Sequence, residues 1–187
     1  AKGLNNKASM HFHGGGFCLG IYHPNREFAS RMAKKCGVKV FMPNYRLAPE
    51  NPFPAALEDA MAVYKGMLLE GYSAGNIVAA GDSSGCGLLL SALLALKKSG
   101  AEMPSAISMI TPALDFAGKG ESFLTKAKND PFLNPGKGNP AGCIELTLRR
   151  PLIRRKVLRC AAAWVSSMQP AGLSSPTLPR TASPCAG

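Results

Sequence analysis

The sequence predicts an α/β fold, a mostly parallel sheet with helices on both faces. Two observations carry this. Short apolar, partly β-branched runs alternate with helix-forming runs as far as Ile110, which is the rhythm of a parallel sheet. Two glycine-rich turns, His13-Gly14-Gly15-Gly16-Phe17 and Gly81-Asp82-Ser83-Ser84-Gly85, each directly follow an expected strand. Right-handed crossovers bring strand C-termini to one edge, where open α/β sheets bind ligands.

The elements follow in order. Ala8-Ser9-Met10-His11-Phe12 reads as the first strand. The next stretch is too rich in glycine to be anything but a loop with exposed backbone amides. Asn25 to Cys36 is a helix: Phe28, Met32 and Cys36 share one face, Lys34 and Lys35 occupy the last turn, and Gly37 stops it. Val38 to Met42 is a strand closed by Pro43, and Asn44 to Pro54 is a loop rich in Pro and Asn. Ala55 to Glu70 is a helix with Leu57, Met61, Tyr64 and Leu68 along one face. Ile77 to Ala80 is a buried strand, Cys86 to Lys98 a leucine-rich helix ending before Gly100, and Ala106 to Ile110 a fourth strand.

Strand, Gly-x-Ser-x-Gly turn and helix together form the setting that pushes a serine hydroxyl out over a sheet edge. Side chains two residues either side of that serine would collide, so glycine occupies both places. Ser83 is therefore the candidate nucleophile. A second match, Gly71-Tyr72-Ser73-Ala74-Gly75, has no strand leading into it. Ser73 reads as a loop residue.

A chain of 187 residues fits one domain with a sizeable core. The net charge of +11 is uneven: residues 1–135 carry a net +4 and residues 136–187 a net +7. The chain divides accordingly into a domain over 1–135 and a basic, Pro/Ser/Ala-rich tail over 136–187, in which no strand–helix rhythm continues. The run Arg149 to Arg159 lacks interleaved aromatics and any nucleic-acid motif, so it reads as a solvated segment and not as a nucleic-acid contact. Six cysteines show neither a Cys-x-x-Cys pair nor zinc spacing, which fits reduced cytoplasmic thiols. No apolar leader is evident, and the run Leu88–Leu96 is far short of a membrane span. His11-x-His13 lacks a third ligand, so no metal is expected. Oligomeric state leaves no mark in the sequence.

Four blocks in order carry a resemblance: His13-Gly14-Gly15-Gly16, Tyr45-Arg46-Leu47-Ala48-Pro49-Glu50, Phe53-Pro54-Ala55-Ala56-Leu57-Glu58-Asp59 and Gly81-Asp82-Ser83-Ser84-Gly85. They resemble the hormone-sensitive-lipase-like family of α/β-hydrolases, microbial carboxylesterases among them, from about Ala8 to Leu133. Thr111-Pro112-Ala113-Leu114-Asp115 and Asn129 to Leu133 continue the likeness more weakly. The resemblance implies an α/β-hydrolase core acting on small-molecule esters without a cofactor. Ser83 would be the nucleophile, and the amides of Gly15, Gly16 and Ser84 the oxyanion hole. His13 and Gly14 would support that loop, Asp82 would flank the serine, and Arg46, Glu50 and Asp59 would brace the scaffold.

Three departures accompany the likeness. The family's chain order is serine, acid, histidine, yet His11, His13 and His23 all precede Ser83, and no Asp or Glu follows Glu145. Asp115 and Asp130 fall too early for the family's acid. Only twelve residues precede His13, so the substrate-covering cap and first strands of the family are expected to be missing. Cys86 stands where the family has glycine and is expected to crowd the helix start. The expectation is an incomplete member whose last third is frame-shifted sequence. Two functions fit: ester hydrolysis impaired by the absent triad Asp and His, or a non-catalytic remnant or carbonyl-binding module.

Overall fold

The computed structural model describes residues 6–115, 120–126 and 129. Asp130, the boundary at 135 and the basic run Arg149 to Arg159 lie outside them. β1 spans Ala8–Phe12, α1 His23–Cys36, β2 Lys39–Phe41, α2 Ala55–Leu69, β3 Ile77–Asp82, α3 Ser84–Lys98, β4 Ala106–Ile110 and α4 Glu121–Thr125. The four strands form one parallel sheet in the order β2-β1-β3-β4. The chain steps outward from β1 to β2, then crosses back to β3. The reversal makes the gap between β1 and β3 a topological switch point, the crevice where such sheets take ligands. The loops after β1 and β3 are the two glycine-rich turns.

Alternation sets the two faces. Ala8, Met10 and Phe12 of β1 and Ile77 and Ala79 of β3 point into the core with α2 and α3. α3 supplies Leu88, Leu89, Leu93 and Leu96 to it. The deepest residues of α2 are Ala60, Tyr64 and Met67, while Leu57, Met61 and Leu68 are half-buried. The buried stripe is thus turned about one position from the expected face. Ala60, with no side chain beyond Cβ, allows the close approach, and Tyr64 Oη donates to the Glu102 carbonyl at 2.7 Å.

The opposite face carries Ser9, His11, Val78, Asp82 and Ile110. α1 lies on it through Phe28 against His11, and none of the residues of α1 is buried. Val78 and Ile110 remain 36% and 43% exposed. Helices therefore flank both faces, but unequally. α1 begins two residues earlier than expected because Asn25 Oδ1 accepts the Tyr22 N–H at 3.1 Å and Pro24 suits a first turn. Gly37, at φ 62°, closes it. β3 runs through Gly81 and Asp82, two residues past its expected end, because both pair with Met109 and Ile110 of β4. No described helix is long and apolar enough to cross a membrane.

Candidate active site

Ser83 sits between β3 and α3 at φ 50°, ψ −124°. A non-glycine residue there is strained by about 1–3 kcal/mol. Neighbouring backbone holds it in place: Ser83 N–H donates to the Ile110 carbonyl at 3.0 Å, and the Ser83 carbonyl accepts from Cys86 at 3.1 Å and Ala113 at 3.1 Å. Ser83 is half-buried, and its hydroxyl has no hydrogen-bond partner among the described residues.

The glycine loop packs directly on the turn. A Cβ on Gly85 would fall 2.6 Å from the His13 carbonyl oxygen and closer still to that of Phe12. A Cβ on Gly15, whose φ is 116°, would meet Leu19 at 2.8 Å. Both contacts are backbone approaches that only glycine permits. Asp82 ties the two turns together. Its Oδ2 accepts the Gly14 N–H at 2.9 Å, and its Oδ1 meets His11 Nε2 at 3.0 Å. His11 in turn packs on Phe28 of α1 with ring centroids 5.1 Å apart. His11 therefore braces Asp82, a role hidden in the sequence because the two lie 71 residues apart. Among the described residues no three metal-binding side chains gather.

His13 is fully buried and stacks on Tyr45 at 4.4 Å. Its Nδ1 lies 2.8 Å from the Gly14 carbonyl, which can only accept, so Nδ1 carries the proton. Nε2 is then a bare acceptor, with no partner among the described residues. Tyr45 Oη donates to the His13 carbonyl at 2.7 Å, and burial pushes the Tyr45 phenol up, so it remains a donor. Burial also lowers the His13 pKa; the Gly14 carbonyl and Asp82 oppose this, and His11 adds to it. A lowered pKa means that the unfolded chain binds the proton more readily. Stability is then complete above about pH 6.5 and lost as pH falls through the lower folded value. Melting temperature is expected to fall between about pH 7 and 5, and His13→Asn is expected to flatten that dependence. An unchanged slope in the variant would assign the dependence to other groups.

Of the three expected oxyanion donors, Gly15 N–H and Ser84 N–H have no partner among the described residues. Gly16 N–H donates to Ser84 Oγ at 2.9 Å. Cys86 does not crowd the helix start: it is fully buried and its thiol donates to the Ile110 carbonyl at 3.6 Å. Burial raises that thiol's pKa. Arg46 pairs with Asp59 at 2.8 Å and with Glu58 at 3.1 Å, so Glu58 holds the place expected of Glu50. His23 is exposed at the start of α1, Ser73 is exposed, and Asp115 accepts from Gly120 at 2.8 Å. A hollow of about 410 Å³, lined by Ile21, Arg26, Ala29, Met42 and Asn44, opens beyond the glycine loop.

The family described as alpha/beta hydrolase fold matches residues 9–173, a span that runs past Leu133 into the basic tail. An acetyl-hydrolase of Streptomyces hygroscopicus is 37% identical over 130 residues, covering 70% of this chain and 44% of that protein. An esterase of Acinetobacter venetianus is 35% identical over 125 residues, covering 67% and 41%. A crystal structure of an esterase from the bacterial hormone-sensitive lipase family superposes with a TM-score of 0.65 at 33% identity, covering 90% of this chain and 50% of that one. The chain spans less than half the length of both curated relatives. By sequence and fold together, it belongs to the hormone-sensitive-lipase-like family of α/β-hydrolases.

Proposed function

We propose that this chain carries the acylation half of a carboxylic-ester hydrolase site, with Ser83 as nucleophile. The observation that carries the reading is the contact between the two turns: a strained serine beside amides of Gly15 and Ser84 that have no partner among the described residues. Ser83 Oγ attacks the ester carbonyl carbon, and the carbonyl oxygen takes the electron pair as an oxyanion. The amides of Gly15, Gly16 and Ser84 stabilise it; one such donor is worth about 100- to 1,000-fold in rate. Collapse expels the alcohol, which takes up the proton lost by serine, and water later frees the acid. The substrate is a small ester, and the reduced thiols of Cys36 and Cys86 fit a cytoplasmic setting.

A second reading rests on the histidines. His11 faces Asp82, His13 is held by Gly14 and Tyr45, and His23 is exposed on α1. Among the described residues none hydrogen-bonds Ser83. A site with donors but no base binds a carbonyl without turning it over. Reaction with a fluorophosphonate separates the readings. The hydrolase reading expects one covalent adduct per chain on prolonged exposure with imidazole added as base, lost in Ser83→Ala. Absence of any adduct favours the carbonyl-binding module.

A further inference from the structure

We propose that the Ser84 hydroxyl occupies one donor of the oxyanion hole in the resting chain and must leave it before an ester can be activated. This deepens the hydrolase reading and rests on it. The contact is specific. Gly16 N–H points at Ser84 Oγ at 2.9 Å, while the other two amides of the set are unpartnered among the described residues. Ser84 is 1% exposed and Gly16 is buried, so water has little access to the pair. A buried amide left without an acceptor is costly, and the hydroxyl removes that cost when no substrate is bound.

The same hydrogen bond acts as a filter on ligands. A neutral ester oxygen is an acceptor of ordinary strength and gains little by displacing a hydroxyl that already fills the place. A tetrahedral oxyanion forms charge-assisted hydrogen bonds about twice as strong, so it displaces the hydroxyl. The hole therefore opens late, as charge develops on the substrate, and the cost of breaking the internal bond falls on the reaction. Ser84 is a positioning residue here: it acts through Gly16 and does not touch the reacting carbon. An alanine at this position has no oxygen to offer, which leaves the Gly16 amide free from the outset.

The test compares wild type, Ser84→Ala and Ser84→Gly, each checked for folding by circular dichroism. The rate constant for reaction with a fluorophosphonate is read from intact mass. Both hydroxyl-free variants are expected to react about three- to tenfold faster, the worth of one neutral hydrogen bond. Equal or slower reaction overturns the inference, and slower reaction would make the hydroxyl a donor in its own right. The proton resonance of Gly16, followed in protein labelled with ¹⁵N-glycine, supplies a readout independent of reactivity. It is expected to move upfield in Ser84→Ala, and an unchanged resonance overturns the contact. If no variant reacts at all, the hydrolase reading fails, while the Gly16 resonance still decides whether the donor is occupied.

Discussion

Ester turnover by this chain is expected to lie on the order of a million-fold below that of a complete serine–acid–histidine site. The reason is the proton. A serine hydroxyl attacks well only when a base takes its hydrogen as the bond forms. The three histidines are committed elsewhere or exposed, and none hydrogen-bonds Ser83. Among the described residues, the assistance proposed for Ser83 comes from backbone amides. Initial rates with p-nitrophenyl acetate should stay measurably above the uncatalysed reaction, by no more than the roughly 10³- to 10⁴-fold that donors and binding supply, and Ser83→Ala should lower them. Added imidazole, a diffusible base, should raise the rate of the wild type above that of Ser83→Ala under the same conditions. Turnover at ordinary enzymatic rates would mean that another group serves as base.

Gly85→Ala is expected to give the largest loss of stability of any single methyl added to the site. The new Cβ would lie 2.6 Å from the His13 carbonyl oxygen and 2.7 Å from the Phe12 carbonyl carbon. These are backbone atoms at the end of β1, and β1 is paired on both sides, to β2 and to β3. Neither a rotamer change nor a loop shift relieves the clash. α3 must move off the sheet, taking the Leu88 and Leu89 packing with it. Overpacking against backbone costs about 3 kcal/mol or more, which lowers the melting temperature by several degrees. Gly66→Ala is the control. Its Cβ would meet nothing within 4 Å in the last turn of α2, so it should stabilise by up to about 1 kcal/mol. Equal effects from the two substitutions would contradict the packing of the glycine loop on α3.

What the sequence made legible follows from the range of the forces involved. The turn at Ser83 and the loop at Gly15 were readable because their glycines answer to local backbone demands: a positive φ at Gly15, and close approach at Gly85. Strand order was not readable from alternation, yet the loops' position at strand C-termini was, because every crossover in a parallel sheet returns the chain to the same edge. The buried stripe of α2 lies one position from the expected face because helical spacing marks an apolar face without saying which part of it meets α3 most closely. Crowding at Cys86 was expected from size alone, but the thiol found room and an acceptor at Ile110. The clamp from Asp82 to His11 and Gly14 was illegible, since nothing local marks partners so far apart along the chain. The same holds for Ser84. Its neighbour Ser83 sits at the centre of the Gly-x-Ser-x-Gly pattern, while the consequence of a second hydroxyl depends on where Gly16 comes to rest.

The account stands on the convergence of the Ser83 hydroxyl with the amides of the glycine loop, and peptide mapping of the fluorophosphonate adduct tests it most directly. The prediction is a single phosphonylated residue, Ser83, with Ser73 and Ser84 unmodified. Modification at either of those serines, or persistence of the adduct in Ser83→Ala, would contradict it.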